Sequence, residues 1–250
     1  MREEESDDSL IPRSLLRGTS FLLDSKAMKH LRKVGLLGFF LFTKILKKSM
    51  PLIASFKLTY RCNLTCSACP FHARAHEQGS HIDWETALRC LEKLKSLGCR
   101  IVIFEGGEPL LWKSGGHDFS DIARYASRHF LCVGATTNGT VNLDVPTDVL
   151  WVSIDGSRET HDRLRSSSYD AIMQNIRSCS HRKLFIHYTC NSRNWRDIPS
   201  VFSALTSLEQ VRGITVQFYY PYEHEKDHLS LSPDERRQAV EMVLKFKRQG

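Results

Sequence analysis

From residue 51 onward the apolar positions fall into two alternating rhythms. Short, nearly continuous runs of Val, Ile, Leu and Phe alternate with longer stretches whose apolar residues recur at helical spacing. The first rhythm predicts strands over 51–60, 100–105, 130–137, 149–155, 184–191 and 213–219. The second predicts helices over 84–97, 118–128, 169–179, 198–208 and 233–248. Asp83 stands where the first of these helices needs an N-cap, and Gly98 stands at its C-terminal stop. Strands this uniformly apolar suit a parallel sheet covered by helices. Right-handed βα crossovers in succession curl such a sheet into a partial (β/α)6 TIM-like barrel, an α/β fold. Its working face is the C-terminal ends of the strands, and the polar motifs of this chain fall there.

A different pattern precedes the barrel. Residues 1–20 are charged and Ser-rich, the composition of a disordered tail. Residues 30–48 read as a basic amphipathic helix. Its apolar stretch of about 12 residues is short of the roughly 20 that span a bilayer. Two readings stay open: a helix lying in a membrane interface, or one capping the open end of a domain. The expected division is 1–50 for tail and helix and 51–250 for the core domain.

Composition adds little to this picture, whereas the cysteines change it. The 250 residues carry a net charge of +7, and 41% are hydrophobic. The basic excess has no basic-aromatic repeat, so a solvated surface is a better reading than nucleic-acid binding. The acidic N-terminus does not have the pattern of a secretory signal, which argues against a disulfide framework for the eight cysteines. Cys62, Cys66 and Cys69 form a CxxxCxxC triplet just after the first strand. Three thiolates in so short a loop can hold three corners of an iron–sulfur cube and leave the fourth iron open, unlike the four-cysteine clusters of electron carriers. Spacing alone leaves zinc as an alternative, with His72 or His76 as fourth ligand. Gly106-Gly107-Glu108-Pro109 closes the second strand. Two glycines there allow close approach of the backbone to a ligand, and Glu108 supplies a carboxylate fit to accept from an ammonium group.

In combination these motifs resemble the radical S-adenosylmethionine (SAM) superfamily. The matching text is Cys62-Asn-Leu-Thr-Cys66-Ser-Ala-Cys69, Phe-Glu-Gly-Gly-Glu-Pro-Leu-Leu (104–111), Thr-Thr-Asn-Gly-Thr (136–140) and Val-Ser-Ile-Asp-Gly-Ser-Arg-Glu-Thr-His-Asp-Arg-Leu-Arg (152–165), and it covers roughly residues 52–220. The resemblance implies that Cys62, Cys66 and Cys69 hold a [4Fe-4S] cluster whose open iron binds the amino and carboxylate groups of SAM. It implies that Gly106, Gly107 and Glu108 hold the methionyl amine and that Thr137 and Asn138 approach the ribose or sulfonium. Ser153 and Asp155 resemble ribose and carboxylate contacts, Arg165 the cation that meets the SAM carboxylate, and Asn191 a ribose contact. Residues 214–218 would flank the adenine. Taken singly, Asn138-Gly139 is also an ordinary turn, Ser153 a helix cap, and Arg163 and Arg165 surface charges. One position departs from the pattern: Ala68 stands where the superfamily usually has an aromatic residue.

The implied activity is reductive cleavage of SAM into methionine and a 5′-deoxyadenosyl radical that attacks a substrate inside a dry barrel. The implied partners are a ferredoxin- or flavodoxin-like reductant and an organic substrate. The basic lead-in resembles members acting on isoprenoids and other lipids, including the hopanoid pathway, while the later motifs also occur in peptide maturases. No second cluster is expected in these residues, and the expected location is the cytoplasm, with or without peripheral membrane contact. The competing readings are a zinc-binding or interaction module on an α/β scaffold and a non-catalytic superfamily member.

Overall fold

A computed structural model describes residues 26–47, 49–67, 69, 71–221 and 229–249. The tail expected over 1–20 and the atypical Ala68 lie outside the described residues. Two compact units divide between Ser49 and Met50. The first contains helix α1 (Lys26–Leu46), whose apolar residues include the exposed Val34, Leu37, Leu41 and Ile45. No helix among the described residues is long and apolar enough to cross a membrane.

The second unit is built on six parallel strands. They are β1 (Ile53–Thr59), β2 (Ile101–Gly106), β5 (Cys132–Thr137), β6 (Val149–Ser153), β7 (Leu184–Cys190) and β8 (Val211–Phe218), neighbours in that order. Every pairing is parallel. The sheet is open, with β1 and β8 as its edges, and so is the partial barrel expected of the apolar runs. Between β2 and β5 a small antiparallel hairpin, β3 (Lys113–Ser114) and β4 (His117–Asp118), turns through Gly115 and Gly116. The sequence pattern did not predict it, because its strands are too short to show alternation.

Helices α2 (Trp84–Ser96), α3 (Phe119–His129), α5 (Tyr169–Ser178), α6 (Ile198–Thr206) and α7 (Pro233–Gln249) match the expected segments closely. Asp83 caps α2 by accepting from Thr86 N at 2.7 Å. Asp118 and Asp121 form a reciprocal capping box at the start of α3. A further helix, α4 (Arg158–Leu164), was not foreseen. Its polar sequence lacks an apolar stripe, and tertiary contacts bury Thr160, His161 and Leu164.

The two faces of the sheet differ in chemistry. One face sends Leu58, Val102, Phe104, Val133, Leu150, Val152 and Ile186 into a core completed by Leu91, Ile122, Ile172, Ile176 and Phe202 of the helices. Each such burial stabilises by about 1.5–3 kcal/mol. Ile214, Val216 and Phe218 also pack against this core. Within 214–218, the span expected to flank the adenine, Gln217 lies on the opposite face. The other face carries Ser55, Lys57, Glu105, Thr136, His187 and Gln217, and these line a cavity of about 470 Å³ at the strand C-termini.

Candidate active site

That cavity collects the polar motifs. Cys62, Cys66, Cys69, Gly106, Gly107, Thr137, Asn138, Ser153, Asp155, Arg165 and Asn191 all line it, and they come from the ends of β1, β2, β5, β6 and β7 and from the end of α4. Glu108 does not.

The cysteine loop is held from two sides. Ser67 N donates to Leu164 O at 3.0 Å and Thr65 N to Ser166 Oγ at 3.0 Å, which ties the loop to the end of α4. Asn63 Nδ2 donates to Thr140 Oγ1 at 2.8 Å, and Asn138 Nδ2 donates to Asn63 Oδ1 at 2.8 Å and to Cys62 Sγ at 3.5 Å. Leu64 N also donates to Cys62 Sγ, at 3.4 Å. The three thiols are free and half-buried. Burial raises the pKa of Cys62, and it pushes Cys66 up to about 11 against the pull of the Arg165 guanidinium. A bound cation reverses this balance, because coordination stabilises the thiolate. Three such thiols beside one cavity, with donors already aimed at one sulfur, fit a cluster of softer metal. Among the described residues no three His, Cys, Asp or Glu side chains close on a single ion-sized point.

The glycine pair is explained by its neighbour strand. A Cβ on Gly106 would lie 2.3 Å from Thr59 O, and one on Gly107 would lie 2.1 Å from Arg61 O. The end of β2 thus packs backbone-to-backbone on the start of the cysteine loop, joined by Gly107 N to Thr59 O at 2.7 Å and Glu108 N to Arg61 O at 2.9 Å. One close approach at this pair is to the chain's own backbone at Thr59 and Arg61, and both glycines also line the cavity. Glu108 is completely buried, and its carboxylate accepts from Leu110 N, Thr137 Oγ1 and Asn138 N at 3.0, 2.8 and 2.7 Å. Burial raises its pKa to about 7, opposed by those donors. The carboxylate that the resemblance assigns to the methionyl amine fastens the end of β5 to the end of β2.

Across the cavity, Asp155 takes Arg165 Nε at 2.5 Å on one oxygen and Thr189 N at 2.8 Å on the other. His161 lies behind this pair: its Nδ1 accepts from Asp155 N at 3.2 Å, and its Nε2 meets Ser168 Oγ at 3.1 Å. Asn191 is fixed by Arg193 N, which donates to its Oδ1 at 2.9 Å. Ser153 is nearly buried beside them.

The sequence reading did not single out Lys57, Glu105 or His187, although each lines the cavity, and it included Gln217 only within the 214–218 span. The signal was available as polar residues at alternate positions within otherwise apolar strands.

The sequence model of the radical SAM superfamily matches residues 56–193. Among curated proteins, the chain is 30% identical over 211 residues to Fe-coproporphyrin III synthase of Methanosarcina barkeri, covering 79% of this chain and 52% of that one. Pre-heme d1 synthase of Dinoroseobacter shibae is 27% identical, over 60% of this chain and 39% of its own length. The chain therefore spans about half the length, or less, of such relatives. Among solved structures, Streptococcus suis SuiB bound to precursor peptide SuiA superposes with a TM-score of 0.66 at 16% identity, over 80% of this chain and 47% of that one. SuiB bound to S-adenosylmethionine superposes with a TM-score of 0.64 at 15% identity, over 80% and 48%.

Proposed function

This chain belongs to the radical SAM superfamily, whose cofactors are a [4Fe-4S] cluster and S-adenosylmethionine, and we propose that its cavity cleaves SAM reductively to activate a polar organic substrate. The observation that carries this reading is the convergence of the three thiols, the glycine pair, Asn138, Ser153, the Asp155–Arg165 pair and Asn191 on one cavity. When bound, the cluster supplies the electron that splits SAM into methionine and a hydrogen-abstracting 5′-deoxyadenosyl radical.

The chain's own residues do the rest. Cys62, Cys66 and Cys69 hold three irons, and Asn138 orients Cys62 through its amide N–H. Gly106 and Gly107 present backbone to the methionyl end of SAM. Glu108 acts through Thr137 and Asn138, whose positions it sets. Arg165, restrained by Asp155, meets the SAM carboxylate, and Ser153 and Asn191 lie beside the ribose. A ferredoxin- or flavodoxin-like reductant supplies the electron.

Two observations support a tetrapyrrole-like substrate over the hydrocarbon lipids suggested by the lead-in. The two curated relatives named above are an Fe-coproporphyrin III synthase and a pre-heme d1 synthase. The inner wall carries the charged side chains Lys57, Glu105, Asp155 and Arg165, and an apolar chain against them would strip their water without replacing it, which is costly. Residues 51–250 form the catalytic core in this reading. The preceding helix, basic and apolar without acidic residues, docks at an anionic membrane interface.

The reading is tested by anaerobic reconstitution and product analysis. The wild-type protein is expected to turn brown and to form 5′-deoxyadenosine from SAM on reduction. Cys66→Ala is expected to lose both. A Cys66→Ala protein with full iron, sulfide and SAM cleavage would remove the assignment.

A further inference from the structure

Lys57 and Glu105 stand opposite each other in the β1–β2 pairing, on the sheet face turned from the helices. Their Nζ–Oε1 distance is 3.9 Å, an ion pair too long to be a hydrogen bond. Ser55 bridges them: Lys57 Nζ donates to Ser55 Oγ at 3.1 Å, and Ser55 Oγ donates to Glu105. The ammonium also sits 5.4 Å from the centre of the Phe71 ring. An ammonium has three N–H donors, and one of these meets Ser55. The Glu105 carboxylate, by contrast, already receives the Ser55 hydroxyl and faces the Lys57 charge. Lys57 therefore keeps N–H donors for a ligand at this wall, beyond the one that meets Ser55. The side chains are 31% and 34% exposed on an edge pair of strands, a setting in which an ion pair contributes little to stability.

The opposite end of the strand order brings a second polar pair to the same cavity. His187 Nε2 and Gln217 Oε1 are 3.1 Å apart on β7 and β8. With the amide oxygen accepting, the proton resides on Nε2 and His187 stays in place through Gln217. The Asp155–Arg165 pair closes the third side and has its charge matched internally.

We propose that Lys57 anchors a carboxylate of the substrate, so that the cavity takes carboxylate-bearing molecules, with the propionate arm of a porphyrin as the instance to test. This rests on the radical SAM reading of the cavity and adds an anchoring residue to it. Lys57 is a binding residue for the arm; the reacting atoms lie elsewhere on the substrate. Nothing in the cluster motif, the glycine pair or the 152–165 segment contains it.

The test is a titration of the reconstituted, SAM-loaded protein with coproporphyrin III and with its uncharged tetramethyl ester, followed by porphyrin absorbance. SAM binding by the wild-type protein is measured first by calorimetry, and its absence would defeat the underlying reading rather than this inference. The acid is expected to bind about tenfold or more tightly than the ester, the size expected of a charge-assisted hydrogen bond. Lys57→Met is expected to bring the acid close to the ester while keeping the wild-type unfolding midpoint. Lys57→Arg is expected to keep most of the difference, and Lys183→Met, on the exposed lead into β7, all of it. The inference is overturned if the ester binds as tightly as the acid, if Lys57→Met binds the acid as the wild type does, or if a protein that binds SAM takes up neither porphyrin.

Discussion

His161 shows how much of the site is held from behind. Asp155 N donates to its Nδ1, so the ring proton lies on Nε2 and is donated to Ser168 Oγ, whose own hydroxyl donates to Arg165 O at 2.7 Å. One neutral imidazole thereby fixes the backbone of both members of the Asp155–Arg165 pair. Burial, with the Arg165 charge adding to it, lowers the His161 pKa from 6.5 to about 4. The folded state thus favours neutral His161, and the stability this gives is full above pH 6.5 and is lost as pH falls through about 4. Urea unfolding across this window is expected to show that decline in the wild type. His161→Asn, which can present an oxygen where Nδ1 sits and does not titrate, is expected to flatten it. His161→Phe is expected to cost about 1–3 kcal/mol at neutral pH by orphaning the Asp155 N–H. A wild-type slope in the Asn variant would contradict the assignment. Glu108 belongs to the same class of residue, because its three donors are all on the chain itself.

At the scale of elements, the junction of β1, the cysteine loop and β2 is a backbone contact that tolerates no side chain at Gly107. Gly107→Ala would bring a Cβ to 2.1 Å from Arg61 O. The strand end must shift, at a cost of at least about 2 kcal/mol. The expected result is a lower unfolding midpoint together with reduced iron after reconstitution; a wild-type midpoint and iron content would show that the junction yields freely. Helix α1 makes a separate case. Leu37, Leu41 and Ile45, spaced four apart, are 61%, 51% and 75% exposed, and no acidic residue occurs along Lys26–Leu46. Residues at that spacing share one helix face. Flotation with phosphatidylglycerol vesicles is expected to carry the protein and to weaken with salt. Leu37→Asp with Leu41→Asp is expected to reduce partition by roughly a hundredfold, from about 3 kcal/mol of lost apolar burial. Equal flotation of the variant would end the membrane reading.

At the scale of the molecule, what was legible in the sequence was whatever local chemistry determines. The strands could be read because parallel strands are apolar along their length, and the cysteine loop and Gly106-Gly107 because their spacing is their geometry. The destination of Glu108 could not be read, since it depends on the backbone of Thr137 and Asn138 across the sheet. Helix α4 could not be read, since its polar run acquires a buried side only in the assembled fold. Along β8, Ile214, Val216 and Phe218 pack against the core while Gln217 lines the cavity, a division set by strand phase rather than strand location. Phase has a consequence of its own. Along β7, Ile186 belongs to the core and His187 to the cavity, so the two faces are written in alternate letters like a message in a two-letter reading frame. Inserting one residue between Leu184 and Ile186 would leave every motif intact and yet exchange the two messages downstream. Length variation among homologous chains should accordingly collect in the connections after the strands, where a shift in frame has nothing to scramble.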